Sequence, residues 1–355
     1  MTPAFRVLHI LDSLAAGGME TTFLNVLRAG RAIDPAIEHH VLAFAGGRLE
    51  KPFRDAASRV VVAADDATID AYLQGSYSVI HVLFERSAYR VLPRIVARAT
   101  TPVVYAKGYD MAGTYRLNEG LDWQADESML ASADGVTFTT AALADGYRLP
   151  PGRVTVLRKA ADIAPFMALP MPHAATPLRV VCVANLHPLK RLGDLITAFD
   201  RVRTEVRGAD LRLVGGGNDR EHERLARLAA DLGLTGQVSF AGAVRDVAAE
   251  VARARVVALS SSTEGVSTAL IEGMAAGRPV VATRVGHVHT IVDDGVEGYL
   301  VDVGDVSAMA DRIVRLLSDA HLAHAMGLAG RRRAAGHDVV DVARHVLDAL
   351  RTAAD

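Results

Sequence analysis

The feature that most constrains the fold is a regular alternation between short apolar runs and segments with helical spacing. Phe5–Leu11 is an aliphatic run that leads to a glycine-containing turn, and Glu20–Ala29 then spaces apolar residues as one face of a helix does. Near-continuous apolar strands separated by helices are typical of parallel sheets covered on both faces. Further strands are predicted at His40–Phe44, Val60–Ala63, Val79–Leu83, Val103–Tyr105 and Gly135–Thr139.

The same alternation resumes after an interruption. Residues 165–177 contain four prolines and no periodicity, which predicts a linker. Beyond it, strands are predicted at Leu178–Ala184, Leu211–Val214, Val238–Ala241, Val256–Leu259 and Pro279–Thr283. Helices are predicted at Leu192–Glu205, Arg220–Leu232, Val247–Arg253 and Ser267–Ala276, and from about residue 308 onward.

This order of elements predicts two doubly wound, Rossmann-like α/β domains facing across a cleft. The first domain is expected at residues 1–164 and the second at 178–335. Residues 336–355 are expected to form a C-terminal helix that packs back on the first domain. In such sheets, ligands bind at the carboxyl ends of the strands.

Composition and charge exclude several classes of protein. Of the 355 residues, 50% are hydrophobic and 23% charged, as in ordinary globular proteins, and the net charge of −2 argues against a nucleic-acid partner. The one cysteine, Cys182, lies in an apolar run and is expected in the core, which excludes a disulfide within the chain. Neither a membrane span nor a secretory signal is recognisable, so a cytoplasmic location is expected.

The densest chemical signal lies between Ser260 and Val280. There a strand ends in a polar turn that holds Glu264, and a helix begins near Ser267, a residue type favoured at N-caps. Unpaired amides in the first turn of a helix offer a site for an anion such as phosphate. Glu272 follows in the second turn, either as a plain surface residue or as an acceptor for sugar hydroxyls, which carboxylates bind well.

The spacing Glu-x7-Glu, followed by Gly273–Val281, resembles the donor-site signature of the retaining glycosyltransferases of the GT-B fold, of the group 1 or family 4-like type. The resemblance implies transfer of a sugar from a nucleotide-diphosphate sugar to an acceptor hydroxyl, with the anomeric configuration kept. It also implies polysaccharide, lipopolysaccharide or glycolipid assembly. Other segments that carry the resemblance are Gly17–Glu20, Val183–Arg191, Leu211–Gly217, Val238–Gly242 and Asp293–Val301.

The resemblance also implies a role for each matching residue. Glu264 would hold hydroxyls of the transferred sugar, Glu272 the nucleotide ribose, and Lys190 would neutralise the diphosphate. Gly17 and Gly18 would let the backbone approach the donor because they lack a Cβ atom. The remaining donor-binding candidates are His187, Arg191, Gly216, Gly265, Val266, Ser267, Thr268 and Asn185, which stands where many relatives carry an arginine.

The sequence departs from the family pattern where the sugar and the acceptor meet. The stretch after the strand near residue 105 lacks the usual histidine, which leaves Lys107 and Asp110 as candidates for the sugar or acceptor side. His289-Thr290 stands in place of Pro-Glu, and Lys159-Ala160 in place of Asn-Gly. Two alternatives therefore stay open: a nucleotide-sugar-binding protein without transfer activity, and a GT-B-fold epimerase.

The expected partners are a nucleotide sugar and a saccharide or lipid-linked saccharide acceptor, with no metal or cofactor. Lys190 and the helix N-terminus near Ser267 supply positive potential for a diphosphate. The acidic pair Asp293-Asp294 precedes Gly295 and is expected to form a turn, not a metal site. Arginines recur every four residues, which on a helix forms a basic stripe. This stripe is either a solvated face or a contact with anionic lipid at the inner face of the membrane, through Arg86, Arg90, Arg94 and Arg98.

Overall fold

The computed structural model describes residues 4–15, 17–63, 65–83, 85–96, 101–108 and 123–355, with the side chains of 85–89, 96 and 123–126 left aside. The chain divides into two compact units. The first contains Met1–Asp162 together with Asp338–Asp355, and the second contains Ile163–His337.

In its described part, the first unit is built on a parallel sheet in the order β3-β2-β1-β4-β5-β6-β7. The strands are β1 Arg6–Ser13, β2 Glu38–Ala45, β3 Arg59–Val62, β4 Val79–Leu83, β5 Val103–Lys107, β6 Gly135–Phe138 and β7 Val154–Val156. Its helices are Gly18–Ile33, Glu50–Ala56, Asp66–Leu73, Glu85–Val96, Trp123–Ser132, Ala141–Asp145 and Val339–Ala354.

The second unit is built on a parallel sheet in the order β10-β9-β8-β11-β12-β13. The strands are β8 Arg179–Val183, β9 Asp210–Val214, β10 Val238–Gly242, β11 Val256–Leu259, β12 Val280–Thr283 and β13 Gly298–Val301. Its helices are Ala164–Met167, Leu192–Glu205, Asp219–Asp231, Val247–Ala252, Thr268–Ala275, Val306–Ser318 and Ala320–Ala334.

Both units confirm the predicted α/β class, and the predicted strands lie within two residues of their expected bounds. Two short strands, β7 and β13, were not predicted, and the three residues of β7 are too few to show a clear period. The strand order reverses between β1 and β4 in one sheet and between β8 and β11 in the other. Such a switch point opens a crevice at the carboxyl ends of the two strands.

The helix Val339–Ala354 belongs to the first unit. Leu347 and Leu350 lie in one buried cluster with three valines of the sheet, Val7, Val79 and Val104. The sheet face under the helix therefore depends on the last residues of the chain for its apolar cover.

Residues 165–177, which the proline content predicts as a linker, lie in the second unit. Three arginines of that unit hold the backbone of this segment. Arg331, Arg278 and Arg255 donate to carbonyl oxygens of Met167 (2.8 Å), Pro170 (2.9 Å) and Thr176 (2.7 Å), respectively. Beyond the short helix Ala164–Met167, hydrogen bonds from these charged donors hold the backbone of the segment.

The predicted arginine stripe falls on the helix Glu85–Val96, which continues through Pro93. Arg90 donates to Asp66 (3.1 Å) and Arg94 to Asp70 (3.0 Å). The two arginines with described side chains thus pair with carboxylates of the helix Asp66–Leu73. The side chain of Arg86 and all of Arg98 lie outside the described residues. Among the described helices, none has the length and apolar character to cross a membrane.

Three buried histidines form a chain across neighbouring strands of the first sheet. His9 Nδ1 lies 3.1 Å from His81 Nδ1, and His9 Nε2 lies 2.9 Å from His39 Nδ1. All three side chains are at most 3% exposed. Burial, with the charges of neighbouring groups added, lowers the pKa of His9, of His39 to about 4 and of His81 to about 3.

These pKa shifts predict that acid destabilises the first unit. Because the unfolded histidines bind protons below about pH 6.5 and the folded ones do not, stability is full above that pH and falls as the pH drops toward 4. His39 alone should account for a loss on the order of 3 kcal/mol. His39→Gln should flatten this dependence in urea unfolding followed from neutral pH down toward pH 4.

The matched control is His345→Gln, because His345 is an exposed histidine of the same unit. It should leave the slope of stability against pH unchanged. Equal slopes for the wild type and His39→Gln would show that the buried chain of histidines does not control the acid response.

Candidate functional site

The candidate donor site lies where β8 and β11 end side by side. The loop after β11 is held to the loop after β8 by serines. Ser260 Oγ donates to the carbonyl oxygens of Lys190 (2.9 Å) and Arg191 (3.0 Å), and the Ser262 amide donates to Leu189 (2.8 Å). The sequence shows these serines only as a polar turn, and their partners could not be predicted because they are some 70 residues away.

This pairing brings together two predicted site residues. Lys190 Nζ lies 2.6 Å from Glu264 Oε1, and the Ser261 hydroxyl also donates to Oε1 at 2.6 Å. The side chain of Glu264 is 10% exposed and that of Lys190 28%. Within the described part of the chain, both contacts fall on Oε1, and Oε2 has no hydrogen-bond donor.

The loop that carries Lys190 has a tight backbone. Residues 188–190 form a single 3-10 turn, and Arg191 then takes a left-handed conformation with φ of 46°. The Arg191 guanidinium donates to Asp194 (2.7 Å), and His187 Nδ1 accepts from the Leu189 amide (3.2 Å). In this structure His187 and Arg191 therefore stabilise the loop locally, while Asn185 is exposed on it.

The glycine turn after β9 lies against the same loop. The Leu186 amide donates to the Gly216 carbonyl at 2.8 Å, and the Gly215 amide donates to Gly242 at 2.9 Å. A methyl group on Gly215 would overlap the Ala184 carbonyl, so this position requires glycine. The turn thus packs edge to edge with the loop after β8.

The helix Thr268–Ala275 begins directly after the Glu264 turn, with Ser267 as its N-cap residue. The Ser267 side chain is buried and makes no capping hydrogen bond to the helix. Gly265 and Val266 are buried in the same turn, and Thr268 is partly exposed at the helix start. Glu272 lies one turn further along with a partly exposed side chain.

Gly286 supports the Glu264 turn from the loop after β12. It has φ of 48°, and a Cβ atom there would overlap the carbonyl oxygen of Glu264. The next amide, that of His287, donates to the Gly265 carbonyl at 3.3 Å. The amino-acid sequence did not single out Gly286, although a glycine three residues beyond a strand end is compatible with such a close approach.

Cys182 lies beneath this site and is fully buried, as predicted. Burial raises the pKa of its thiol to about 12, with Glu264 adding to the shift and Lys190 opposing it. The thiol is therefore neutral at physiological pH and adds no charge to the site.

In the first unit, Gly17 and Gly18 form the start of the helix Gly18–Ile33, after β1. A Cβ atom on Gly17 would overlap the Glu20 carboxylate, which the Ser13 hydroxyl contacts at 3.5 Å. Burial raises the pKa of Glu20, and the nearby charge of Asp12 raises it further. The glycine at this position therefore makes room for a half-buried acidic side chain of its own unit.

Of the two candidates for the acceptor side, the structure describes Lys107, whereas Asp110 lies outside the described residues. Lys107 is 1% exposed at the end of β5. Its ammonium lies 5.8 Å from the centre of the Tyr147 ring, and Tyr147 belongs to the core cluster around Phe138. The charge of Lys107 is thus directed toward the interior.

Two acidic pairs in the sequence serve as structural groups. Asp65 caps the helix Asp66–Leu73 by accepting from the Thr68 amide (2.8 Å), and Asp66 pairs with arginines of the next helix. Asp294 accepts from the Leu300 amide (2.9 Å), which agrees with the turn role predicted for Asp293-Asp294.

Residues 177–319 match the family model described as glycosyl transferases group 1. The N-acetyl-alpha-D-glucosaminyl L-malate synthase of Bacillus anthracis is 35% identical over 148 residues, which are 42% of this chain and 38% of that protein. A GDP-mannose-dependent alpha-(1-6)-phosphatidylinositol monomannoside mannosyltransferase of Mycobacterium tuberculosis is 38% identical over 161 residues, 43% of this chain and 41% of that protein. The chain thus spans about two fifths of these relatives.

Among solved structures, Anabaena HepE in complex with UDP and glucose superposes with a TM-score of 0.82. The likeness covers 98% of this chain and 99% of HepE, with 19% sequence identity. This similarity extends the match beyond residues 177–319 and shows that the chain has the GT-B fold.

The contact between Gly286 and Glu264 predicts that Gly286→Ala is more damaging than an ordinary glycine substitution. The strain of a left-handed alanine costs about 1–2 kcal/mol, and the overlap with the Glu264 carbonyl adds to it. Gly233→Ala is the matched control, because Gly233 has φ of 67° with open space around it. Urea unfolding of both variants measures the difference, and equal losses would contradict the prediction.

Proposed function

We propose, on the premise that this chain belongs through residues 177–319 to the group 1 glycosyl transferases, that it is a retaining glycosyltransferase. It would move a sugar from a nucleotide-diphosphate sugar to an acceptor hydroxyl. The observation that carries the proposal is the contact of Lys190 with Glu264 at the switch point of the second sheet. A cation for phosphate and a carboxylate for hydroxyls meet there, as a sugar diphosphate requires.

In this proposal the leaving diphosphate binds at the start of the helix Thr268–Ala275, close to Lys190. The first amides of that helix and the Lys190 ammonium stabilise the negative charge that develops as the glycosidic bond breaks. Glu264 keeps Oε1 on Lys190 and Ser261, and offers Oε2 to hydroxyls of the sugar. Glu272 binds the ribose of the nucleotide.

The chemical step is assigned to displacement on the front face, within an ion pair. The bond between the anomeric carbon and the diphosphate oxygen breaks, the acceptor oxygen bonds to the same face, and the departing phosphate takes the acceptor proton. This order keeps the anomeric configuration without a covalent sugar–protein intermediate. This assignment of the chemical step is taken from the family resemblance, and it does not require a nucleophilic side chain in the site.

The relatives suggest the setting of the reaction. One is named as an N-acetyl-alpha-D-glucosaminyl L-malate synthase and another as a phosphatidylinositol monomannoside mannosyltransferase. We accordingly place this chain in polysaccharide, lipopolysaccharide or glycolipid assembly, acting in the cytoplasm on a saccharide or lipid-linked acceptor.

A panel of nucleotide sugars, read by thermal shift and by release of free sugar or product, tests the proposal. Stabilisation by one donor together with turnover would support transfer. Stabilisation without any turnover, with acceptors present, would identify a binding protein instead. Interconversion of the donor sugar without release of nucleotide would identify an epimerase.

The two glutamates should separate sugar binding from nucleotide binding. Glu264→Gln should abolish transfer yet bind the free nucleoside diphosphate as well as the wild type does, because the lost carboxylate faces the sugar. Glu272→Ala should weaken donor and free nucleotide alike by about 1.5–3 kcal/mol, the range for hydrogen bonds to a charged group. Calorimetry with both ligands distinguishes these patterns, and unchanged turnover in Glu264→Gln would refute its assignment.

Transfer should need no divalent metal, because Lys190 and the helix N-terminus already supply the positive potential. Activity should survive EDTA, whereas Lys190→Ala should lower turnover on the order of 100-fold. Lys51→Ala serves as the control, since Lys51 is an exposed lysine of the first unit paired with Asp55. Loss of activity in EDTA that magnesium or manganese restores would place the phosphate site elsewhere.

A further inference from the structure

Two arginines of the second unit bind the C-terminal end of the helix Thr268–Ala275. Arg278 is 1% exposed, and its guanidinium donates to the carbonyl oxygen of Ala276, the C-cap residue of that helix. Arg331, on a later helix, donates through Nε to the carbonyl oxygen of Ala275 at 3.0 Å. Carbonyl oxygens at the end of a helix lack partners within the helix, and the helix dipole favours cations there. The two arginines therefore supply the partners that this end of the helix needs.

The same two guanidiniums also bind residues 165–177, which we call the strap. Arg331 Nη2 donates to the Met167 carbonyl at 2.8 Å and to a second carbonyl of the strap. Arg278 Nη1 donates to the Pro170 carbonyl at 2.9 Å. Within the described part of the chain, the hydrogen-bond partners of both guanidiniums are backbone carbonyls, and none is a carboxylate. Each arginine thus joins the strap to the end of the helix through one charged group.

A methionine of the strap packs against two glycines at the same place. Gly277, with φ of 73°, directly follows the helix end, and a Cβ atom there would overlap the Met171 sulfur. The Met171 methyl group lies 3.2 Å from the position that a Cβ atom on Gly327 would occupy. Gly327 belongs to the helix Ala320–Ala334, which also carries Arg331. The missing side chains leave a recess that Met171 fills, so apolar packing reinforces the charged hydrogen bonds.

We propose that the strap is a positioning element of the donor site, and that Arg278 and Arg331 are the positioning residues through which it acts. They fix one end of a helix of eight residues whose first amides, at the other end, are proposed to bind the leaving diphosphate. Such a helix is only about 12 Å long, so a displacement of its C-terminal end also moves those amides. The role in the donor site rests on the proposed function, whereas the attachment of the strap to the helix does not.

Substitution of Arg331 tests the positioning role, with UDP and GDP as probes titrated by calorimetry. Arg331→Gln should weaken the nucleotide that the wild type binds by about tenfold, the size of a lost hydrogen bond from a charged group. Arg331→Lys should recover part of this loss, because an ammonium keeps the charge at the helix end but lacks the fork that reaches the strap as well. Arg332→Gln is the matched control, since Arg332 is the adjacent, exposed arginine of the same helix.

A role in stability alone gives a different result. It would lower the midpoint of thermal unfolding in Arg331→Gln and leave nucleotide affinity well below that midpoint unchanged. Met171→Ala is a second variant, because it loosens the strap without altering either arginine, and it should weaken the nucleotide in the same direction. Unchanged affinity in both Arg331→Gln and Met171→Ala would overturn the positioning role, as would an equal loss in Arg332→Gln.

Amide hydrogen exchange of the free protein, followed by mass spectrometry, tests the attachment without a ligand. In Arg331→Gln and in Met171→Ala, the amides of residues 270–276 should exchange faster than in the wild type, because the end of the helix opens more often. The helix Leu192–Glu205 of the same unit is the internal reference and should keep its rate. Equal rates for residues 270–276 in the wild type and both variants would refute the attachment.

The two measurements keep this inference separate from the proposed function. Donor turnover by the wild type, with normal nucleotide affinity in Arg331→Gln and Met171→Ala, would refute the positioning role and leave the transferase standing. Failure of the wild type to bind either nucleotide or to turn over any donor would refute the transferase and with it the donor role of the strap. Hydrogen exchange would then decide the attachment by itself.

Discussion

The second unit depends on the pairing of two loops at the switch point of its sheet. The loops after β8 and β11 diverge from adjacent parallel strands, and each has a backbone that must find partners outside the sheet. Ser260 and Ser262 supply those partners by bonding to carbonyls of residues 189–191. The contact of Lys190 with Glu264 follows from that pairing, because the joined backbones place the two side chains within reach of each other.

The contact has a chemical consequence as well as a structural one. Two opposite charges, both largely removed from solvent, are stable only when they are paired and hydrogen-bonded. Ser261 completes the hydrogen bonding of Glu264 Oε1, and Gly286 lets a neighbouring loop approach the Glu264 backbone closely. The lysine and the carboxylate are thereby held in place by the fold itself, and under the proposed function this lowers the reorganisation that donor binding requires.

The first unit differs from the second in that it buries a group of histidine side chains in its sheet. His9 contacts both His39 and His81 across three adjacent strands, and burial keeps the three rings neutral. Beside His81, the sheet and its covering helices leave a pocket in which apolar and cationic groups meet. The helix Val339–Ala354 contributes Val342 and Val346 to the lining of this pocket, together with residues of the helix Gly18–Ile33.

From the amino-acid sequence alone come the α/β class, the parallel strands, and Glu264 and Lys190 as separate candidate site residues. Apolar runs and helical spacing are local properties, and a family motif is also read along the chain. Only the tertiary structure decided that Ser261 and Lys190 share one oxygen of Glu264, that Gly286 supports that turn, and that Lys107 is directed toward Tyr147. The structure also shows that Arg90 and Arg94 pair with aspartates of another helix, whereas the sequence shows only the regular spacing of the arginines. These contacts join residues far apart in the chain, and their geometry depends on strand order and loop packing, which no local pattern of residues encodes.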